Sequence, residues 1–199
     1  MEAIILYVIS IVTELIAGLG YWGVGICMAI ESCNIPLPSE IILPFGGYLA
    51  SEGRIDFWEA ALAGTVGGTF GSIVSYYLGY YAIDSPKLFW ISQRKRHVIT
   101  EWFNRHGEST VFFCRLLPMV RTFISLPAGA AKMNLSKFVI YTFAGSLIWS
   151  IFLTYLGYEL GTHWMVLRQY FKYADILVLV AAVVGVIYYY FWRSRSKQN

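Results

Sequence analysis

"ESCNIPLPSE", residues 31–40, sets two prolines and two glutamates between apolar runs without charge, "LIAGLGYWGVGICMAI" (15–30) and "IILPFGGYLA" (41–50). Lipid does not accept Glu31 and Glu40 unless they find partners. A membrane helix is interrupted by Pro36, Pro38 and Pro44, each of which removes a backbone donor. Short broken segments at membrane depth are stable where protein or water meets the freed backbone groups, which is the situation of a re-entrant hairpin.

The rest of the chain supplies the membrane setting. Of 199 residues, 57% are hydrophobic and 14% charged, against about 25% charged in a soluble domain. Mean hydropathy is +0.57. Three stretches carry no charge: Ala60 to Ile83 (24 residues), Phe138 to Tyr158 (21) and Ile176 to Trp192 (17). A spanning helix needs roughly 17–25 apolar residues, so the composition is that of an integral membrane protein. The opening "MEAIILYV" has Glu2 where a signal peptide has basic residues. Cys27, Cys33 and Cys114 are odd in number and sit among apolar residues, which implies no disulfide framework. His97, His106 and His163 have no zinc-ligand spacing. No metal or cofactor is expected, and a net charge of +3 does not point to nucleic acid.

The chain resembles itself. "LPFGGYLA" (43–50) opens like "LPAGAAKM" (126–133), and Phe57 with Gly64 recurs as Phe138 with Gly145. "YLGY" stands at 77–80 and again at 155–158; Glu14, Gly20 and Cys27 recur as Glu101, Gly107 and Cys114. The preserved order marks a diverged duplication. Each copy has a proline-interrupted hairpin (20–50; 108–131) followed by a spanning helix (57–82; 137–159). Pro36, Pro38, Pro44, Gly46 and Gly47 break the first hairpin; Pro118, Pro127 and Gly129 break the second.

Residues 84–107 between the copies are too charged to span and keep Phe89, Trp90, Val98, Ile99, Trp102 and Phe103 for an apolar side, as an interfacial helix does. A hairpin returns to its own side, one helix crosses, and the linker stays where it arrives. The second copy then enters from the opposite face. The predicted fold is an all-α membrane domain built as an inverted repeat. Repeat one covers about 14–82, the amphipathic linker 84–107, repeat two 108–160, and a C-terminal transmembrane helix 174–192. Inverted repeats with broken helices meeting at the midplane are typical of secondary transporters. Ten Lys and Arg fall on the linker's side and three (Arg54, Arg168, Lys172) on the other. The positive-inside rule puts the linker and the C-terminus in the cytoplasm. Residues 3–19 fit either a crossing or an interfacial helix.

In the second hairpin Arg115, Pro118 and Arg121 stand at spacing R-x2-P-x2-R. An arginine at the bilayer centre costs about 2.5–3.5 kcal/mol on insertion scales, so both need partners. Glu31 and Glu40 of the facing hairpin are the candidates. Four such residues can be buried ion pairs that tie the hairpins together. They can equally be a transport site, in which guanidinium forks bind phosphate. A carboxylate removed from water takes up protons more readily, which makes Glu31 and Glu40 candidates for proton coupling or gating. Gly64, Gly67, Gly68 and Gly71 read as a close-packing helix surface. An enzyme is not expected, because the three histidines lie outside the pieces that carry these residues.

"E-x4-P-x-P-x-E" before "GG", followed by "F-x-x-R-x-x-P-x-x-R" before "AG-x3-M-x4-F", resembles the DedA family of membrane proteins over roughly residues 20–160. That resemblance implies a lipid translocase of the bacterial cytoplasmic membrane, multi-pass, with Arg115 and Arg121 binding substrate and Glu31 and Glu40 as the functional acids. The implied substrate is an anionic isoprenoid lipid, undecaprenyl phosphate, recycled for the cell envelope, with protons or another ion coupled to its movement. A phosphatidylethanolamine flippase or scramblase, or a lipid-binding scaffold, is the alternative. A homo-oligomer is compatible with either.

Overall fold

The computed structural model describes residues 2–35, 37–82, 109–118 and 120–163. The linker 84–107, the C-terminal segment 174–192 and Pro36 lie outside them. All described residues fall within one unit, Met1–Trp164. They form eight α-helices and no strand. These are α1 (Glu2–Leu19), α2 (Tyr21–Ser32), α3 (Ser39–Ser51), α4 (Phe57–Ala82), α5 (Thr110–Arg115), α6 (Val120–Phe123), α7 (Ser125–Ala130) and α8 (Leu135–Leu160), the last running into a 3-10 turn at Gly161–His163.

Gly20 ends α1: its φ of 58° is left-handed, and its amide donates back to the Ile16 carbonyl at 2.8 Å. Only glycine takes that conformation without a Cβ penalty. Arg54 donates to the Ala17 carbonyl at 3.1 Å, placing a cation at the negative end of α1. Ile9, Val12 and Ile16 form the buried face of α1, while Tyr7, Ile11 and Leu19 face outward.

Helices α2 and α3 have 12 and 13 residues. At 1.5 Å per residue each spans about 18–20 Å, short of a hydrocarbon core about 30 Å thick. The turn between them holds Asn34 at φ 67°, a conformation that asparagine tolerates better than most residues. Pro38 stands just ahead of α3, in extended conformation.

Pro44, Gly46 and Gly47 do not break the first hairpin, contrary to expectation: α3 runs through all three. Pro44 deprives the Glu40 carbonyl of its helical donor without ending the helix. The glycines serve packing instead. A Cβ on Gly47 would overlap the Thr154 carbonyl of α8, and one on Gly46 would come 3.1 Å from Val24 of α2. Gly129 likewise lies inside a helix, α7, where a Cβ would overlap the Tyr76 carbonyl of α4. Pro118 does fall in a turn, between α5 and α6. The segment after it is divided at Ile124, because Pro127 has no N–H for the Phe123 carbonyl four residues earlier. The second hairpin is thus three short helices rather than two arms.

α4 and α8, with 26 residues each, are the two long helices. α8 is long and apolar enough to cross a membrane. They pack antiparallel. Phe57 at the start of α4 meets Tyr158 at the end of α8, ring centroids 5.9 Å apart. Tyr76 near the end of α4 meets Phe138 near the start of α8 at 4.9 Å. Between them, a Cβ on Gly64 would come 3.4 Å from the Ser150 hydroxyl. α2 lies against α4 through the predicted glycine surface, where a Cβ on Gly67 or Gly71 would overlap the carbonyl of Gly25 or Ala29.

Polarity is arranged inside out. On α4 Leu62, Val66 and Phe70 face outward, while Thr65, Thr69, Ser72 and Ser75 are buried. On α8 Ile140, Ile148 and Phe152 face outward, while Thr142, Ser146, Ser150 and Thr154 are buried. An apolar exterior of this extent suits a lipid environment.

Candidate functional site

The buried polar cluster grows from the broken pieces. Glu31 falls in the last turn of α2, held there by the Asn34 turn that stops the helix. Asn34 Nδ2 donates to the Thr122 carbonyl at 3.3 Å. The Ser75 hydroxyl of α4 lies 2.6 Å from Asn34 Oδ1 and 2.8 Å from the Ser32 carbonyl. One short turn is therefore pinned to α4 and to α6 together.

Against that turn Arg121 of α6 donates from Nη2 to Glu31 Oε1 at 2.9 Å. The Thr122 hydroxyl donates to the same oxygen at 3.1 Å. The Ser32 hydroxyl lies 3.4 Å from Glu31 Oε2. Both ions are nearly sealed from solvent, Glu31 at 5% and Arg121 at 5% exposure. The Arg121 guanidinium also lies over the Trp149 ring of α8, Cζ to centroid 5.3 Å, within cation–π range.

Arg115 ends α5 and is 3% exposed. Its stem crosses α8 at Gly145, where a Cβ would come 2.5 Å from Arg115 Cβ. Nη2 donates to the Ser125 hydroxyl at 2.7 Å, and Nε has no partner among the described residues. Among the described residues no carboxylate lies within ion-pair distance of it. Removing a cation from water costs several kcal/mol even after relaxation, whereas one hydrogen bond to a charged group returns about 1.5–3 kcal/mol. Ion pairing accounts for Arg121 and leaves Arg115 unbalanced.

Of the expected site residues, Glu31 and Arg121 meet directly, and Arg115 lies within electrostatic reach of both. Glu40 stands in the first turn of α3, partly buried. Just ahead of it the Ser39 hydroxyl is buried without a partner. Asn34, Thr122, Ser125 and Trp149 belong to the cluster as well and were not foreseen. Asn34 alone had a sequence signal, an asparagine in a proline-flanked turn. Hydroxyls on the two long helices differ in one respect. Those of Thr65, Thr69 and Ser72 on α4 donate back to their own helix at 2.6–2.8 Å. Among the described residues those of Thr142, Ser150 and Thr154 on α8 have no partner, nor has the Trp149 indole nitrogen.

A family model described as the VTT domain matches residues 37–159. The chain is 35% identical over 195 residues to undecaprenyl phosphate transporter A of Bacillus subtilis (strain 168), covering 94% of this chain and 96% of the relative. It is 34% identical over 189 residues to an alkaline phosphatase-like protein of Lactococcus lactis subsp. lactis, over 89% and 88% of the two chains. Protein DedA of Escherichia coli (strain K12) is 28% identical over 198 residues, over 92% and 89%. No solved structure matches the chain.

Proposed function

The chain belongs to the DedA/VTT-domain family of membrane proteins, and from that premise we propose that it is a flippase carrying undecaprenyl phosphate across the bacterial cytoplasmic membrane. One observation carries the choice of headgroup. Arg115 is a buried guanidinium whose described partner is a single hydroxyl, so two guanidinium groups face one described carboxylate, Glu31. A phosphomonoester supplies up to two negative charges and oxygens spaced for a guanidinium fork. Similarity to a protein named for transport of undecaprenyl phosphate supports the same chemistry.

In this scheme Arg115 and Arg121 take the headgroup between them. The arriving phosphate competes with Glu31 for Arg121, and a proton taken up by Glu31 frees the arginine. Glu40, in the first turn of α3 beside the tip of the first hairpin, gates the path or relays the proton. The hairpins act as re-entrant elements of an inverted repeat, and α4 and α8 cross in opposite directions. A zwitterionic phosphatidylethanolamine head is the poorer match. Its phosphodiester brings one negative charge to two guanidinium groups, and its amine adds a further cation.

The test is flux in proteoliposomes carrying a polyprenyl monophosphate in one leaflet, with phosphatidylethanolamine in a parallel set. Transport of the monophosphate, abolished by Arg115→Ala, is the expected result. Preferential movement of phosphatidylethanolamine would replace the substrate. Binding without movement of either would make the protein a scaffold, and release of inorganic phosphate would make it an enzyme.

A further inference from the structure

Trp149 lies near the middle of α8, buried, with its indole N–H unpaired among the described residues. Its ring supports the Arg121 guanidinium at 5.3 Å. One turn earlier, at Gly145, the same helix face receives Arg115, whose Cβ and Cγ would stand 2.5 and 3.2 Å from an added Cβ. Positions four apart on a helix are neighbours, so the stem of Arg115 and the ring that carries Arg121 meet α8 side by side. The Nε–H of Arg115 is unpaired there too.

These two nitrogens are informative because of what they cannot do. Indole and guanidinium nitrogens donate and never accept. A buried hydroxyl can rotate towards a carbonyl of its own helix, as those of α4 do. An indole N–H points where its ring fixes it. Two unpaired donors, one of them on the Arg115 cation, beside a second cation call for an acceptor rich in oxygen and negative charge. Another cation, an amine or an apolar group would leave both unsatisfied.

We propose that Trp149 is a headgroup-binding residue: its indole N–H and the Nε–H of Arg115 donate to oxygens of a phosphate monoanion or dianion, while its ring holds Arg121 beside them. The inference rests on the phosphate-lipid function above and adds to it a neutral donor, which recognises acceptor oxygens rather than charge alone.

Trp149→Phe keeps a ring beneath Arg121 and removes the N–H. Replacing Trp149 by β-(3-benzothienyl)alanine keeps the whole bicycle and removes the same donor, and decides the matter if the phenylalanine variant does not fold. Binding is measured in nanodiscs for a short-chain polyprenyl monophosphate and, separately, for inorganic phosphate; the tighter ligand identifies the source. Loss of one hydrogen bond to a charged group should weaken it by about tenfold or more. In the wild-type protein the Trp149 indole ¹H–¹⁵N resonance, assigned by its absence from Trp149→Phe, should move on addition of that ligand. Phosphatidylethanolamine should leave it in place. Wild-type affinity in the variants together with weakened binding by Arg121→Lys would overturn the role of Trp149 and leave the lipid-phosphate function standing. No binding of either phosphate to the wild-type protein would overturn both.

Discussion

Glu31 and Arg121 meet at 2.9 Å in a place where neither reaches water, and at the residue scale this gives two separable expectations. Glu31→Leu leaves Arg121 as an unpaired buried cation and should cost about 3–5 kcal/mol of stability. Adding Arg121→Met to that variant removes the orphaned charge, and thermal unfolding in detergent should recover most of the loss. Lipid flux should not recover with it. Recovery of both would mean that the pair only fastens α2 to α6. Arg121→Lys asks a different question, since lysine keeps the charge and loses the planar fork. Hydrogen bonds to charged groups are worth about 1.5–3 kcal/mol, so binding of a polyprenyl monophosphate should weaken by about tenfold or more. Near-wild-type binding by Arg121→Lys would show that charge alone suffices at this position.

At the scale of elements the informative contacts are reciprocal. Gly157 of the second "YLGY" meets the Pro44 carbonyl of α3, and Gly47 of α3 meets the Thr154 carbonyl of α8. Gly79 of the first "YLGY" meets the Leu126 carbonyl of α7, and Gly129 of α7 meets the Tyr76 carbonyl of α4. Each copy's long helix thus packs on the other copy's short one through the same glycine of "YLGY" and a glycine of the short helix, the short-helix partners standing one residue apart in the alignment of the two copies. Gly157→Ala and Gly79→Ala should each lower stability by about 1–3 kcal/mol, because a backbone on the far side must move. Gly18→Ala is the control, with nothing within 4 Å of its added Cβ; there alanine should be neutral or add roughly 0.5–1 kcal/mol. Equal melting temperatures for all three would deny the close crossings. The sequence showed where helices are interrupted and where they run long: charge-free stretches and prolines gave α4 and α8 to within two residues. It misjudged Pro44, Gly46 and Gly47 because a glycine that bends a chain and one that admits a neighbour are the same letter. Only the partner backbone distinguishes them. Trp149, Ser125 and Thr122 escaped for a related reason. Their partners are brought to them by folding, 91 positions away in the case of Thr122 and Glu31, and no local pattern announces such a meeting.

For the whole molecule the antiparallel packing of α4 and α8 bears on the expectation, reached from the parity of crossings, that the two copies enter the membrane from opposite faces. The loop ahead of α4, at 52–56, lies near the end of α8, since Phe57 touches Tyr158. The loop ahead of α8, at 131–134, lies near the end of α4, since the Tyr76 hydroxyl donates to the Met133 carbonyl. If both helices cross the bilayer, these two loops must face opposite compartments. The first carries Arg54 and the second Lys132, with Lys137 following it. The positive-inside rule then predicts that the second loop faces the cytoplasm and the first the outside. Glu52 and Ser136 are exposed positions beside the respective loops. In a background with Cys27, Cys33 and Cys114 changed to serine, Glu52→Cys should react with an impermeant maleimide added to intact cells. Ser136→Cys should react only after the membrane is opened. The opposite pattern would reverse the orientation and keep the antiparallel crossing. Equal labelling of both from outside is the outcome that the inverted architecture cannot accommodate. It would require α4 and α8 to begin on the same side, which two antiparallel spanning helices cannot do.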